Sequence, residues 1–336
     1  MQSPVTGKTM KLVKQPGAKL NFRKEEFEFV YHYYLCEDSG EQFTSDELDR
    51  INTAQVHNRY RERYGIPFPD EIKEIREKYE VSASKMSEIL GFGANSYRLY
   101  ENGEIPSVAN GRLILAIKEP KDFIKQVEAS SHLLTEKEKK KFIERAQTLA
   151  EQQEKDIWNI LQARHIFIHQ AANEYSGYRR PDYARIAAII TVLGKGMELY
   201  KTKLNKLLFY GDFLYFRITG FSMTGITYRA IQMGPVPAGY STLYDKLCEE
   251  GLVEINQVSF EDGKIYGDVI VGLSPDTNSL TAEELDVLAQ VSAKLGSLKT
   301  SSIIEMSHRE KAWIENEEAK ELISYSKYAF DLKNFD

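Results

Sequence analysis

The sequence predicts a mainly α-helical fold, α+β overall, with more than one domain. The chain has 336 residues, whereas a single hydrophobic core stops growing at roughly 250–300 residues. Over most of this length, apolar residues recur at helical spacing and follow capping residues. Alternation of the kind found in strands is confined to residues 19–35 and 252–271. We therefore expect a small β-rich module, several helical segments and one later β-hairpin.

Composition narrows the classes of function. The formal net charge is −6, so any DNA binding must come from a local surface, because the overall charge opposes phosphate contacts. Two cysteines, Cys36 and Cys248, make no disulfide framework and favour a reducing compartment. Residues 1–10 lack the apolar run of a signal peptide, and no segment has the ~18 apolar residues of a membrane helix. We expect a cytoplasmic protein with no membrane partner.

Residues 1–66 are predicted to form the β-rich module. Aromatic and β-branched residues in Lys19–Phe29 and Val30–Leu35 favour strands. A helix is expected over Ser45–Arg63, with Ser45 as its N-cap.

Residues 67–130 have the pattern of a helix-turn-helix domain. A helix over Asp70–Tyr79, with Asp70 as its N-cap, precedes a short helix capped by Ser82 or Ser84. The glycine turn Gly91-Phe92-Gly93 leads into a second short helix, Asn95–Glu101. A helix, a tight turn and a short second helix inside a bundle are typical of a DNA reader. The alternative is a three-helix packing unit with no DNA role.

Two stretches of this domain resemble known families. Glu101-Asn102-Gly103 followed by Pro106-Ser107 resembles the Xre/Cro-type helix-turn-helix. Gly91-x-Gly93-x-Asn95 with Tyr100-Glu101-x-Gly103 resembles the MqsA-type antitoxins more closely. That family reads DNA with an Asn at the start of the recognition helix and an Arg four positions later. Asn95 matches the first position, whereas Leu99 occupies the second and Arg98 precedes it.

The predicted DNA contacts follow from side-chain chemistry. Asn95 can bind adenine through two hydrogen bonds, and Arg98 can bind guanine in the same way. Ser84, Lys85 and Ser96 are expected to contact phosphate. One reader covers one half-site, so we expect a homodimer on operator DNA.

The MqsA-type resemblance extends to the N-terminal module. Ser3-Pro4-Val5-Thr6-Gly7 and Cys36-Glu37-Asp38-Ser39-Gly40 have the layout of a zinc ribbon. The family has cysteines at all four ligand positions, but only Cys36 is a cysteine here. Neutral hydroxyls bind zinc poorly, so the resemblance implies a zinc ribbon that has lost its metal. The alternative is an unrelated β-hairpin.

Residues 131–180 are predicted to form a helical linker. Thr135-Glu136-Lys137-Glu138 is a capping box that opens a long polar helix reaching about Lys155, which we expect to be solvated. His165 and His169 have the spacing of two metal ligands on a helix, but the glutamate that a zincin needs is absent. We therefore predict no metal and no cofactor.

Residues 181–325 are predicted to form a helical C-terminal domain with a small β-hairpin. The hairpin is expected over Leu252–Val271, with its turn at Glu261–Lys264, and Thr224–Pro237 is expected to be loop-like with short extended pieces. The predicted helices are Asp182–Lys195, Thr202–Gly220, Ala238–Gly251, Thr281–Leu295 and Lys299–Ile314.

An ordered series of short motifs in this domain resembles the SocA-like, or Panacea, antitoxin domain. The series runs from the helix at Leu204–Tyr210 through Tyr228-Arg229-Ala230 and Gly234-Pro235-Val236-Pro237 to Ser307-His308 and Trp313. The resemblance implies neutralisation of a protein toxin by direct binding. The candidate toxin contacts are Tyr228, Gly234, Pro235, Val236, Pro237, Tyr240 and Tyr244. A structural turn and core packing are the alternatives for these residues.

Together these features predict a type II antitoxin that represses its own operon through the helix-turn-helix. The alternative is a transcriptional regulator whose C-terminal domain binds a partner other than a toxin. We do not expect an enzyme, because no nucleophile or carboxylate partner is identifiable for His308.

Overall fold

The computed structural model describes residues 1–155, 166–167, 171–259, 266–274, 277 and 279–335. The chain packs as two compact units, one formed by Met1–Val56 with Arg164–Asp336 and the other by His57–Ala163. Helices dominate and the sheets are small and antiparallel, which confirms the predicted fold class. Among the described residues, no helix has the length and apolar character needed to cross a membrane.

The first unit begins with an antiparallel hairpin, β1 (Lys11–Phe22) and β2 (Glu25–Leu35), to which β3 (Gln42–Phe43) is added beside β2. The hairpin starts earlier than expected. Its turn is made by Arg23 and Lys24, whose φ angles of 48° and 71° suit the tight turn of a two-residue hairpin.

Helix α1 (Asp46–Tyr64) follows the hairpin, and the division between the units falls inside it. Ser45 caps α1 as predicted, accepting a hydrogen bond from the Leu48 amide at 3.4 Å. In the first unit, α1 holds β2 through two side-chain amides. Asn52 binds the backbone N–H and C=O of His32, and Gln55 binds those of Val30.

The second unit is a bundle of short helices around one core. Its helices after α1 are α2 (Pro69–Glu77), α3 (Ala83–Ile89), α4 (Ser96–Glu101), α5 (Val108–Ala116), α6 (Pro120–Ala129) and α7 (Glu136–Lys155). The N-cap of α2 is Phe68 and not Asp70, because Pro69 takes the first helical position, where its missing N–H costs nothing. Tyr79 stacks on Phe123 with ring centroids 3.8 Å apart, at the centre of the core.

Helix α7 opens with the predicted capping box between Thr135 and Glu138. The polar composition predicted a helix that is solvated on all sides, but α7 is buried along one face. Phe142 and Ala146, four residues apart, are buried in the core of the second unit. Lys, Glu and Gln outnumber these two apolar side chains along the helix, so the sequence pattern did not reveal that one face is buried.

The rest of the first unit surrounds one buried helix. Its elements are α8 (Tyr183–Leu193), α9 (Lys201–Thr219), β4 (Tyr228–Ile231), β5 (Gly234–Pro237), α10 (Tyr240–Glu249), β6 (Val253–Ser259), β7 (Tyr266–Gly272), α11 (Ala282–Leu295), α12 (Thr300–Ser307), α13 (Lys311–Ile314), β8 (Leu322–Ile323) and α14 (Tyr325–Tyr328). The buried helix is α9, in which residues 203–216 are all buried, and it packs against β5, α11 and α12.

Two sheets contribute to this part of the unit. Strands β5, β4 and β8 form one antiparallel sheet in that order, and β6 and β7 form the predicted hairpin. The hairpin turn predicted at Glu261–Lys264 lies outside the described residues, as do His165 and His169. The helix predicted over Lys299–Ile314 is interrupted at His308–Glu310, so it forms α12 and α13.

Candidate functional sites

The predicted DNA reader is assembled from α3, the glycine turn and α4. Ser82 caps α3, accepting a hydrogen bond from the Lys85 amide at 3.2 Å, and Gly91 has a φ of 69° in the turn. Buried polar contacts fix α4 to its neighbours. The Tyr97 amide donates to Ser87 Oγ at 3.0 Å, and the Tyr97 hydroxyl donates to the Ile72 carbonyl at 2.8 Å.

The outer side of α4 presents the predicted base-reading residues. Asn95, Arg98 and Leu99 are all exposed, Leu99 by 46%. Among the described residues, Arg98 has no ion-pair partner and the Asn95 side chain makes no capping bond. Glu101 is engaged instead, since its Oε1 lies 2.5 Å from Arg76 Nε on α2. One side of α4 is therefore fixed to the rest of the unit by buried contacts, and the other side is exposed to solvent.

The three predicted phosphate contacts differ in their surroundings. Ser84 is exposed and Ser96 is half-buried. Lys85 is already paired, with its Nζ 2.6 Å from Glu88 Oε2 and 3.5 Å from Glu138 Oε1. These carboxylates raise the pKa of Lys85, chiefly through the hydrogen bond to Glu88. A phosphate would have to compete with both carboxylates for this ammonium.

The four positions of the zinc-ribbon pattern come together in the first unit. Cys36 is buried, and the neighbouring hydroxyls of Ser3, Ser39 and Thr6 lower the pKa of its thiol to about 6. Thr6 Oγ1 lies 3.4 Å from Cys36 Sγ. The two loops share one backbone hydrogen-bonding pattern, since the Gly7 amide donates to the Ser3 carbonyl and the Gly40 amide to the Cys36 carbonyl, both at 2.8 Å. One thiol and three hydroxyls suit a hydrogen-bonded cluster and are a poor donor set for zinc.

In the C-terminal part, the Gly-Pro-Val-Pro segment is strand β5 and not a loop. All four residues are buried. Gly234 has a φ of 90°, and a Cβ built there would lie 2.3 Å from Ser307 Oγ and 2.7 Å from Lys206 Cε. A side chain therefore does not fit between α9, β5 and the end of α12.

The buried amine of Lys206 on α9 is the polar centre of this contact. Lys206 is fully buried, and its Nζ donates to the Pro235 carbonyl at 3.0 Å. Burial lowers the pKa of Lys206 to about 7. The same ammonium lowers the pKa of His308, although burial of that ring is the larger cause.

His308 and Trp313 complete the cluster. Their rings stack with centroids 4.0 Å apart, and Trp313 Nε1 donates to the Ile231 carbonyl at 2.7 Å. The ordered motifs of the sequence are thus brought together across α9, β4, β5 and the turn between α12 and α13. We name this set the signature cluster: Lys206, Gly234, Pro235, Ser307, His308 and Trp313.

The predicted toxin contacts lie mostly in the core. Tyr228 and Tyr244 have no exposed surface, and their hydroxyls bind Asp212 Oδ2 at 2.8 Å and Asn205 Oδ1 at 2.7 Å. Asp212 also accepts from the amides of Met223 and Thr224. Tyr240 alone among the predicted contacts is half-buried. Direct contact of these residues with a partner stays a prediction.

One family model matches part of the chain, in the region that contains the signature cluster. Residues 204–314 match the family model described as the antitoxin SocA-like Panacea domain. No curated protein and no solved structure matched the chain. The match covers the C-terminal part of the predicted resemblance and confirms an antitoxin-like domain there. It begins at the start of α9 and ends at α13, so it spans every residue of the signature cluster.

Sequence reasoning missed two features of this Panacea-like domain. It overlooked Lys206, although a lysine among Leu204, Leu207 and Leu208 on an apolar helix signals a buried charge. It also overlooked Met233 and Ile314, which are 47% and 54% exposed. Both adjoin the signature cluster, since Met233 precedes Gly234 and Ile314 follows Trp313.

Proposed function

We propose that the chain is the antitoxin of a type II toxin–antitoxin system, and that its Panacea-like domain binds and neutralises the cognate protein toxin. The observation that carries this proposal is the family match over residues 204–314, whose motifs converge on the signature cluster. The proposal assigns no catalytic step to the chain.

We assign toxin binding to the surface beside the signature cluster. Met233 lies in the turn between β4 and β5, and Ile314 ends α13, which packs against both strands. The hydrogen bond from Trp313 Nε1 to the Ile231 carbonyl joins the two segments that carry these exposed apolar side chains. Exposed apolar side chains on a preordered surface lose little entropy on binding, which favours an interface.

Growth rescue tests this assignment. The full-length chain is co-expressed with the product of the adjacent gene, and Met233→Glu and Ile314→Glu are compared with Leu285→Glu. Leu285 is 40% exposed on α11 in the same unit, so it controls for the cost of placing a charge on an apolar surface position. We expect the first two variants to lose rescue and the control to keep it. Rescue by all three would contradict the assigned surface.

We further propose that α4 reads the operator and that the chain represses its own operon as a dimer. The support is Arg98, which is exposed beside Asn95 on the outer side of α4 and has no ion-pair partner in the part of the chain that the structure describes. Two readers related by a two-fold axis would span half-sites about 34–36 Å apart, or a multiple of this spacing.

Gel shifts with full-length variants test the reader. Asn95→Ala and Arg98→Ala should each cost about 1–3 kcal/mol of discrimination between operator and scrambled DNA, because each loses a base contact. Lys85→Ala should weaken binding to all sequences alike and flatten the salt dependence. Equal losses on both DNAs for Arg98→Ala would reject its base-reading role. Operator binding without toxin rescue would favour a transcriptional regulator with another partner.

A further inference from the structure

The first unit contains a cleft that neither proposed activity uses. Its volume is about 700 Å³, within the range of roughly 300–1,000 Å³ typical of small-molecule sites. One wall comes from the hairpin, through Leu12 and Lys14 on β1 and His32 on β2. The opposite walls come from the first turns of α1, the end of α9 and Phe335.

The walls of the cleft are apolar and partly open to solvent. Leu12 is 43% exposed and Ile218 is 37% exposed, on opposite sides of the cleft. Leu48, Ile51 and Phe335 extend the apolar lining between them. Apolar side chains that line a cleft in this way favour a ligand with an apolar body.

Among the described residues, the charged side chains of the lining are Lys14, Arg217 and Glu47. Lys14 Nζ donates to the Phe330 carbonyl at 3.2 Å, and an Arg217 nitrogen donates to the Phe335 carbonyl at 2.7 Å. These backbone contacts hold both cations at the cleft. Glu47 is the acid, and it is exposed at the start of α1. Burial lowers the pKa of His32, and the positive charges of Lys14 and Arg217 lower it further. The electrostatic potential that these two cations create at the ring is therefore positive.

His32 provides an unused hydrogen-bonding group. It is only 4% exposed, and Asn52 binds its backbone N–H at 2.8 Å and its carbonyl at 2.9 Å. These two contacts orient Asn52 so that Oδ1 also lies 3.3 Å from His32 Nδ1. Nδ1 must then carry the proton, because an amide oxygen only accepts. Nε2 is left without a partner among the described residues.

A buried polar atom without a partner is uncommon and costs free energy. Here it belongs to a side chain that lines an apolar cleft with a positive field. We propose that this cleft binds a small amphipathic anion, with its apolar chain along Leu12, Leu48 and Ile218 and its acidic group beside Lys14 and Arg217, and that His32 Nε2 takes up a proton from solvent on binding so that it can donate to the acidic group. This site is independent of the proposed toxin-binding surface and of the DNA reader.

Calorimetric titration of the full-length chain tests the proposal. The probes are decanoate and decyltrimethylammonium, both below their micellar concentrations, because they share one chain and differ in the sign of the head group. We expect decanoate to bind at least about tenfold more tightly, which corresponds to ~1.4 kcal/mol. Lys14→Met keeps the apolar stem and removes the charge, so it should weaken decanoate about tenfold and decyltrimethylammonium little.

Leu12→Asp and Ile218→Asp should abolish decanoate binding, because they place a carboxylate in the apolar walls. Leu20→Asp is the matched control, since Leu20 is 42% exposed on the same strand as Leu12 and lies outside the cleft. Melting curves check that each variant folds. The proposal is overturned if both probes bind alike, if decanoate does not bind, or if Leu12→Asp binds it as well as Leu20→Asp. Leu12 is exposed, so Leu12→Asp should fold. If Lys14→Met failed to fold, the comparison of Leu12→Asp with Leu20→Asp would still test the proposal.

Discussion

Replacing Gly234 by alanine should destabilise the first unit far more than an ordinary glycine substitution. Its φ of 90° lies in the left-handed region, which costs a residue with a Cβ about 1–2 kcal/mol. The new Cβ would also meet Ser307 Oγ at 2.3 Å and Lys206 Cε at 2.7 Å. Overpacking of this kind costs about 1–3 kcal/mol. The sum is about 2–5 kcal/mol, a large share of an unfolding free energy of about 5–15 kcal/mol.

Gly251→Ala is the matched control for this prediction. Gly251 has a φ of 68° in the same unit, and nothing lies within 4 Å of a Cβ built there. It should therefore show the backbone cost alone, about 1–2 kcal/mol. Urea unfolding followed by tryptophan fluorescence measures both variants. With a slope of about 3 kcal/mol per molar urea, the midpoint should fall by about 1 M for Gly234→Ala and by less than about 0.7 M for Gly251→Ala.

A double variant separates crowding from other causes. Ser307→Ala removes the oxygen that a Cβ at position 234 would meet, and alone it loses only the Ser307 Oγ hydrogen bond to the Ile304 carbonyl. Gly234→Ala with Ser307→Ala should therefore recover about 1 kcal/mol of the loss. Equal destabilisation by Gly234→Ala and Gly251→Ala, or no recovery in the double variant, would refute the crowding argument.

Three further predictions follow from the site chemistry. Burial lowers the pKa of Lys206 to about 7 in the folded chain, so above that pH the unfolded chain binds more protons than the folded chain. The free energy of unfolding should therefore rise between pH 7 and 10, by at most ~1.4 kcal/mol per pH unit. Urea midpoints across this range should show the rise in the parent chain and not in Lys206→Met. The pKa of Cys36 falls to about 6, so its contribution to the free energy of unfolding should be full above pH 9 and lost as the pH drops through 6. Cys36→Ala should remove this pH dependence. If the variant kept the pH profile of the parent chain, Cys36 would not be a thiolate in the folded chain. Glu138→Gln frees Lys85 from one carboxylate, so DNA affinity in low-salt gel shifts should rise by about 0.2–1 kcal/mol, the value of an exposed ion pair. Unchanged affinity would mean that Lys85 contacts no phosphate.

Local signals made much of the helical structure predictable. Ser82 caps α3 and Thr135 caps α7, as the sequence predicts, because a cap needs only a side-chain oxygen two or three residues before the amide that donates to it. Gly220, with a φ of 79°, ends α9 at the predicted residue. The outward placement of Asn95 and Arg98 also followed from local helical periodicity.

Contacts distant in sequence were not predictable in the same way. Tyr228 looked like an interface anchor, but it is buried because Asp212, sixteen residues earlier in a helix, accepts its hydroxyl. Strand β5 looked like a loop because two of its four residues are prolines. It is an edge strand of its sheet, where the absence of an amide donor is tolerated. The hairpin was placed in residues 1–66 and the C-terminal domain was ended at residue 325, yet Lys14 Nζ donates a hydrogen bond to the carbonyl of Phe330, 316 residues away.

The burial of the Gly-Pro-Val-Pro segment changes how a partner can be recognised. A motif buried on every residue cannot give specificity by its own side chains, so its role is to set the position of what surrounds it. Lys206 holds the Pro235 carbonyl, and Trp313 holds the carbonyl of Ile231 on the neighbouring strand. Both bonds fix the β4–β5 turn from behind and leave Met233 outside. Different chains could therefore share this support and vary the exposed residues at the turn and at the end of α13, which is where we place the choice of toxin.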